Sequence, residues 1–263
     1  MDLGIKGKVA LIMASSSGLG KAMARRFLME GVVTMMASRN EEKLRRAVEE
    51  LTDDTGVTAY YTACDITQVE QIKNLVRVTT EKLGPISILV NNAGGPPAGT
   101  FETFNDEAWQ NAFELNLLSY VRTIREVLPF MKVQKWGRII NSTSSSVKQV
   151  IENLILSNTF RLGVIGLTKT LSQELAPYNI LINAIGPGRF DTQRIRQLDQ
   201  ALAAKKGVSV EEVSRQAIDQ IPLGRYGMPD EYARLAVFLS SEANSYITGQ
   251  TIIADGGMVK AVL

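Results

Sequence analysis

Short apolar segments alternate with longer amphipathic segments along almost the whole chain of 263 residues. Apolar runs of this kind are typical of strands buried on both faces of a sheet, and the stretches between them are long enough for crossover helices. The sequence therefore predicts an α/β fold with a doubly wound parallel sheet. The predicted strands are 8–13, 32–37, 58–62, 86–90, 138–142, 180–185 and 251–254.

Helix signals fill the segments between these strands. Asn40, Asn105 and Ser209 are predicted N-caps, and Ser209 with Glu212 has the spacing of a capping box. The predicted helices are 19–30, a charged helix after Asn40, 67–83, 106–131 and 153–176.

No linker, repeat or low-complexity segment divides the chain, so a single domain over 1–263 is expected. The polar region 189–221 interrupts the strand–helix rhythm after a predicted strand, where such sheets bind their ligands. Two interpretations stay open for it: a substrate lid, or a solvated helical excursion.

Composition excludes several classes of function. The chain has no His, which rules out a Ser-His-Asp hydrolase, and with one Cys it argues against a zinc site. Cys64 has no partner for an internal disulfide, which fits a reducing compartment. Because the net charge of +2 is scattered, and no signal peptide or membrane-length apolar run is visible, we expect a cytoplasmic protein that binds neither nucleic acid nor membrane.

A glycine-rich turn follows the first predicted strand and opens the first helix. Small residues there let the backbone approach a pyrophosphate, and the helix N-terminus offers aligned N–H groups. This position in the first strand–helix unit predicts a Rossmann-type dinucleotide site. The expected contacts from this turn are Ser15, Ser17, Gly18, Leu19 and Gly20.

Together with this turn, motifs further along the chain resemble the short-chain dehydrogenase/reductase family, in particular its 3-oxoacyl carrier-protein reductases. Gly18 and Gly20 match the last two glycines of the family's Thr-Gly-x-x-x-Gly-x-Gly loop, whereas Met13 and Ala14 depart from its opening. The other matching segments, in the family's order, are Asp65-Ile66, Asn91-Asn92-Ala93-Gly94, Asn116, Pro187-Gly188 followed by Thr192, and Asp255-Gly256-Gly257.

The resemblance implies an NAD(P) site and an oligomer. It gives cofactor contacts to Asp65, Ile66, Asn92, Ala93, Gly94, Pro187, Gly188 and Thr192. Family members are usually tetramers or dimers, and 223–258 resembles their C-terminal interface. A small-molecule carbonyl or alcohol is the implied substrate.

The end of the second strand favours NADP over NAD. A carboxylate there would bind the ribose 2′-hydroxyl, but the chain offers Ser38 and Arg39, and a guanidinium suits a 2′-phosphate. The alternative is that Arg39 only faces solvent before a charged helix.

The family's Tyr-x-x-x-Lys pair is missing. Aligning on 166–170 puts Ser157 at the Tyr position, Arg161 at the Lys position and Ser144 at the family's serine. A serine hydroxyl is a far weaker acid than a phenol, and a guanidinium can bind a ribose but cannot relay a proton. The candidate catalytic residues are Ser144, Lys148, Ser157, Arg161 and Asn116, with Arg161 also a candidate cofactor contact.

Lys148 could supply the missing acid group if its amine turned into the vacated space, although a solvated loop lysine is the alternative; Glu152 is a weaker candidate.

Two functions therefore stay open. One is an NADP-dependent oxidoreductase with a non-standard acid group; the other is a non-catalytic NAD(P)-binding sensor or oligomeric scaffold. In the first, Arg194, Arg196, Lys205 and Lys206 could favour an anionic substrate.

Overall fold

A computed structural model describes residues 2–262 and contains one sheet of seven strands, all parallel. The strands are β1 Val9–Met13, β2 Val33–Ser38, β3 Tyr60–Ala63, β4 Ile86–Asn91, β5 Gly137–Ser142, β6 Ile180–Pro187 and β7 Thr251–Ala254. Their spatial order is β3-β2-β1-β4-β5-β6-β7. The predicted doubly wound parallel sheet is confirmed.

Helices cover both faces of this sheet. The helices are α1 Gly18–Met29, α2 Glu41–Thr55, α3 Val69–Leu83, α4 Asp106–Phe113, α5 Ser119–Gln134, α6 Ile155–Leu175, α7 Gln193–Lys206, α8 Val210–Ile218 and α9 Pro229–Leu239. Buried side chains of α1, α2 and α9 form one apolar cluster with the sheet, and those of α3, α5 and α6 form the other. The central strands β1, β4 and β5 are buried along their whole length, because they are covered from both sides.

All three predicted N-caps are confirmed. The side chains of Asn40, Asn105 and Ser209 accept hydrogen bonds from the backbone amides three residues ahead, at 2.8, 3.0 and 3.1 Å. Each cap satisfies an amide that has no partner within its helix.

One predicted strand and one predicted helix begin two residues later than expected. The strand predicted at 58–62 lies at Tyr60–Ala63, at the sheet edge, where half-exposed residues weaken the apolar pattern. The helix predicted to begin at 67 begins at Val69 instead, because the Asp65 carboxylate accepts from the Thr67 amide at 2.9 Å and holds the preceding turn.

The predicted helix 106–131 is interrupted. A π-helical turn, Glu114–Leu118, separates α4 from α5, and α5 then continues to Gln134. A π turn inserts one extra residue per turn, and such turns are frequent at functional sites. Asn116 lies within it and is fully buried.

Ala14 carries backbone strain at the start of the glycine-rich turn. Its φ of 47° lies in the left-handed region, which costs an L-residue about 1–2 kcal/mol. The turn cannot relax easily, because a Cβ added to Gly20 would overlap the Ala14 carbonyl oxygen. The helix start and this turn therefore pack backbone against backbone, as a dinucleotide site requires.

We expect Ala14→Gly to leave the free energy of unfolding unchanged or to raise it by up to about 1 kcal/mol, because strain relief outweighs the extra entropy of the unfolded chain. The matched control is Ala201→Gly in the exposed middle of α7, which should lower stability by about 1 kcal/mol. Urea unfolding measures both. Equal losses in the two variants would contradict strain at Ala14.

Candidate functional site

A groove of about 440 Å³ runs along the carboxyl ends of β1, β2 and β4, where the strand order reverses between β1 and β4. Open parallel sheets bind dinucleotides at this point. The predicted cofactor residues that line it are Ser17, Gly18, Leu19, Ser38, Arg39, Ile66, Asn92, Ala93, Gly94, Pro187, Gly188 and Thr192.

Four other predicted cofactor contacts do not line the groove: Arg161 lines a neighbouring cleft, and Ser15, Gly20 and Asp65 lie in the segments that form the groove. Ser15 is buried, and its hydroxyl donates to the Ile12 carbonyl at 2.9 Å and accepts from the Ala37 amide at 3.0 Å. Gly20 allows the close packing described above. The Asp65 carboxylate is occupied by the amide and hydroxyl of Thr67. In this structure their hydrogen bonds and packing are internal to the fold.

Sequence reasoning gave no cofactor role to several lining residues, because no local pattern distinguishes most of them from ordinary loop residues. They are Ala14, Ser16, Cys64, Gly95, Leu115, Phe190, Gln193, Arg194 and Ile195, and of these only Arg194 was expected to contact a ligand, as a cation that favours an anionic substrate. Ser16 could have been inferred from its place in the glycine-rich turn; its hydroxyl lies 3.0 Å from that of Ser38. Burial, together with Asp65, raises the pKa of the Cys64 thiol to about 12, so the thiol stays neutral.

Arg39 lies at the mouth of the groove and is exposed. Within residues 2–262 its guanidinium has neither a hydrogen bond nor an ion pair. At the opposite wall, Gly18 has a φ of 55°, and a Cβ placed on it would lie 3.7 Å from the Thr192 methyl. The groove thus has a close backbone cradle at one end and an uncompensated cation at the other, which fits a phosphorylated dinucleotide.

A larger cleft of about 990 Å³ opens beside this groove. The two cavities share Gly95, Pro187, Gly188, Arg194 and Ile195 as lining residues. Because one wall belongs to both, a ligand in the groove can present one end to a second ligand in the cleft.

Arg161 lies in the wall of the cleft and is 5% exposed. Its Nη1 donates to the Ser142 carbonyl at 3.0 Å and its Nη2 to the Ala93 carbonyl at 3.4 Å. No carboxylate pairs with it among the described residues. A buried cation held only by carbonyls retains donor capacity and positive potential toward the cleft.

The serines predicted for catalysis also line the cleft. The Ser144 oxygen accepts from the Ser146 amide at 3.1 Å, so its own proton is still available for donation. Ser157 lies one helical turn before Arg161 and is almost fully buried, and across residues 2–262 its hydroxyl has no hydrogen-bond partner. The structure therefore brings Ser144, Ser157 and Arg161 to one cleft.

Asn116 and Lys148 are placed differently. The Asn116 amide donates to the Gly94 carbonyl at 2.9 Å and supports the end of β4 from behind the cleft, and its Oδ1 is buried without a partner in the described chain. Lys148 is exposed and does not line the cleft, although Gln149 directly after it does. Glu152 lines the cleft but is exposed.

The region 189–221 forms α7 and α8 and covers one side of the cleft. Its lining residues are Arg189, Arg194, Ile195, Leu198, Asp219 and Gln220. The buried Asp199 ties this region together by accepting from Arg189 at 2.7 Å, Tyr226 at 2.8 Å and Ser214 at 3.3 Å. Burial and the hydrogen bond to Asp199 raise the pKa of Tyr226, which keeps this donor protonated.

The cations of this region differ in their partners. Arg189 is paired with Asp199, and Arg196 pairs with Asp191 on the outer side. Arg194 is exposed, lines both cavities, and has no ion pair in residues 2–262. Arg194 is therefore the cation of α7 that is available to a ligand, whereas Lys205 and Lys206 lie at the far end of the helix.

The part of the chain that the structure describes contains neither a metal-binding cluster nor a membrane-spanning helix. No group of three or more His, Cys, Asp or Glu side chains is arranged to hold a metal ion. None of the described helices is long and apolar enough to cross a membrane.

Comparisons with known proteins agree with this geometry. Residues 13–259 match the family model described as enoyl-(acyl carrier protein) reductase. The 3-oxoacyl-(acyl-carrier-protein) reductase FabG of Thermotoga maritima is 35% identical over 257 residues, which cover 97% of this chain and 99% of that protein.

Two solved structures are also similar. The L-sorbose reductase of Gluconobacter frateurii, complexed with NADPH and L-sorbose, superposes with a TM-score of 0.95 at 33% identity and full coverage of both chains. An NADPH-bound short-chain oxidoreductase of Pseudomonas aeruginosa, described as containing an atypical catalytic center, has a TM-score of 0.89 at 29% identity, covering 98% of this chain and 99% of that one.

The family model spans most of the chain, and the curated relative matches almost end to end. The seven-stranded parallel sheet agrees with the fold of these solved structures. The chain belongs to the short-chain dehydrogenase/reductase family.

Proposed function

We propose that this protein is an NADP-dependent oxidoreductase that interconverts a small-molecule carbonyl compound and its alcohol. The observation that carries the proposal is the shared wall between the dinucleotide-shaped groove and the cleft that contains Arg161, Ser144 and Ser157. The similarity to reductases, two of them in NADPH-bound structures, supports it.

The groove residues fit the cofactor from end to end. The turn at Ser17 and Gly18 would hold the pyrophosphate, Arg39 the 2′-phosphate, and the segment from Pro187 to Thr192 the nicotinamide end. When bound there, the nicotinamide supplies or accepts the hydride of the reaction.

Arg161 and Ser144 would bind the carbonyl oxygen of the substrate. During reduction this oxygen gains negative charge, and donors already in place stabilise that charge without reorganisation. Arg161 contributes through its charge and its hydrogen bonds, because a guanidinium does not act as a general acid. The proton that completes the alcohol comes from the Ser157 hydroxyl, which is replenished by water from the open cleft, or from that water directly. The site thus substitutes charge stabilisation for a strong general acid.

The region 189–221 acts as the lid of the cleft in this proposal, and Arg194 favours substrates that carry a negative charge. We further propose a cytoplasmic homo-oligomer, a tetramer or dimer in which 223–258 contributes to the interface. Size-exclusion chromatography with light scattering tests the assembly directly.

The first experiment titrates the protein with NADPH and NADH and then screens carbonyl compounds for NADPH oxidation. Binding with turnover supports the proposal. Tight NADPH binding without turnover across the panel would instead favour the sensor or scaffold. Folded protein that binds neither nucleotide would refute both.

Arg39→Ala should raise the Kd for NADPH about 10–100-fold, because it removes a charged hydrogen bond to the 2′-phosphate. The Kd for NADH should change by about twofold or less, since NADH has no such phosphate. Fluorescence of the reduced nicotinamide measures both.

Arg46→Ala is the matched control, because Arg46 is an exposed arginine of α2 that pairs with Glu42 outside the groove. An equal loss of NADPH affinity in this variant, or an equal loss of NADH affinity in Arg39→Ala, would exclude a specific phosphate contact.

Arg161→Gln should lower kcat by about 10²–10³-fold, because it removes the charge that stabilises the substrate oxygen. Arg196→Gln, on the outer face of α7, should leave kcat within about twofold, as expected for an exposed ion pair. Steady-state kinetics at saturating NADPH separate the two. Near-normal kcat in Arg161→Gln would remove Arg161 from the mechanism.

Asp199→Asn should raise the KM for the carbonyl substrate more than the Kd for NADPH, because it releases Arg189 and loosens the lid. Loss of the buried pair should also lower the free energy of unfolding by about 1–3 kcal/mol. Asp191→Asn, which removes the exposed pair with Arg196, serves as control. If both variants behave alike, the buried Asp199 network does not organise the lid.

A further inference from the structure

Beyond their last paired residues, the ends of β4 and β5 are joined by side chains. Backbone pairing between these strands ends at Asn91 and Asn141. One residue further, the Ser142 carbonyl accepts two hydrogen bonds, one from the Tyr120 hydroxyl at 2.8 Å and one from Arg161 Nη1 at 3.0 Å. A carbonyl oxygen has two lone pairs, so these two donors complete its capacity.

Tyr120 is 1% exposed and lines neither the groove nor the cleft. Burial raises the pKa of its phenol, and the neighbouring Arg161 charge and the Ala93 backbone oppose that rise. The hydroxyl is therefore a neutral donor with no route to the substrate. Its contact with Ser142 does not belong to the chemistry described so far.

Arg161 depends on this carbonyl more than most buried arginines would. Its other hydrogen bond, to Ala93, is long at 3.4 Å, and no carboxylate fixes the guanidinium plane within the described chain. If the Tyr120 hydroxyl were absent, the second lone pair of the Ser142 carbonyl would attract another guanidinium N–H. That N–H would then turn away from the cleft.

A second buried tyrosine provides an internal comparison. Tyr232, on α9 in the opposite helical layer, lies with its hydroxyl 2.8 Å from the Ser142 side-chain oxygen and 3.3 Å from the Ile185 carbonyl. It is as buried as Tyr120 and contacts the same residue. However, it does not share an acceptor with Arg161.

We propose that Tyr120 is a positioning residue for Arg161, which acts by occupying one lone pair of the Ser142 carbonyl and thereby keeps the guanidinium directed into the cleft. This inference rests on the proposed function of Arg161. It assigns to α5 a part in the reaction that the family's motifs do not indicate.

Tyr120→Phe removes the hydrogen bond to the Ser142 carbonyl. Because the loss of one hydrogen bond that positions Arg161 costs about 1 kcal/mol, kcat should fall about tenfold, whereas the KM for NADPH should not change. Tyr232→Phe should leave kcat within about twofold at a similar cost in stability. In an Arg161→Gln background, Tyr120→Phe should cause no further loss. The same tenfold loss in that background, or equal effects of the two tyrosine variants, would overturn the proposal.

Nuclear magnetic resonance of protein with ¹⁵N-labelled arginine tests the positioning without turnover. In the unaltered protein we expect a slowly exchanging Tyr120 hydroxyl proton with a nuclear Overhauser effect to the Arg161 guanidinium protons. Arg161 signals should broaden in Tyr120→Phe but not in Tyr232→Phe.

Absence of that effect in the unaltered protein would overturn the proposal even if Tyr120→Phe failed to fold. Failure of the proposed function would instead appear as absence of turnover in the unaltered protein. The resonance experiment would still test the contact between Tyr120 and Arg161 in that case.

Discussion

Burial of the parallel sheet on both faces is the constraint on which the rest of this structure depends. Seven strands can all run in one direction only if each connection crosses back over a face, and here nine helices in the described chain occupy these crossovers and the loops near the cleft. All carboxyl ends consequently lie at one edge. The groove and the cleft exist because the loops leaving β1, β4, β5 and β6 are forced to meet there.

At that edge lies a buried cation, Arg161, without a carboxylate partner in the described residues. Removing a guanidinium from water is costly unless its donors are satisfied, and Arg161 is satisfied in part by two main-chain carbonyls. The ends of β4 and β5 therefore supply the main-chain carbonyls that bind this charge. A tyrosine and a lysine at Ser157 and Arg161 would give a proton donor; the present pair gives a fixed positive potential.

The region 189–221 shows a contrasting pattern. Two of its arginines form internal ion pairs, Arg189 with the buried Asp199 and Arg196 with Asp191. Of the two arginines in α7, Arg194 lines both cavities and Arg196 lines neither. In the proposed function, Arg194 is the one that favours an anionic ligand.

Much of the fold could be predicted from sequence because its signals are local. Strand positions, the three N-caps and the glycine-rich turn depend on periodicity and on hydrogen bonds that reach three or four residues. The errors occurred where local signals are weak: at the edge strand β3, at the Asp65 turn before α3, and at the π turn that splits the predicted helix 106–131.

By itself, the sequence determined the parallel α/β architecture and the glycine-rich turn of the dinucleotide groove, since each follows from residue type and order. Only the tertiary structure decided that Lys148 is exposed, that Ser15 is buried, and that Tyr120 and Arg161 donate to the same carbonyl. The hydrogen bonds from Tyr120 to Ser142 and from Arg161 to Ala93 join residues 22 and 68 positions apart. Such contacts exist only after α5 and α6 have packed on the sheet, and no local pattern encodes that packing.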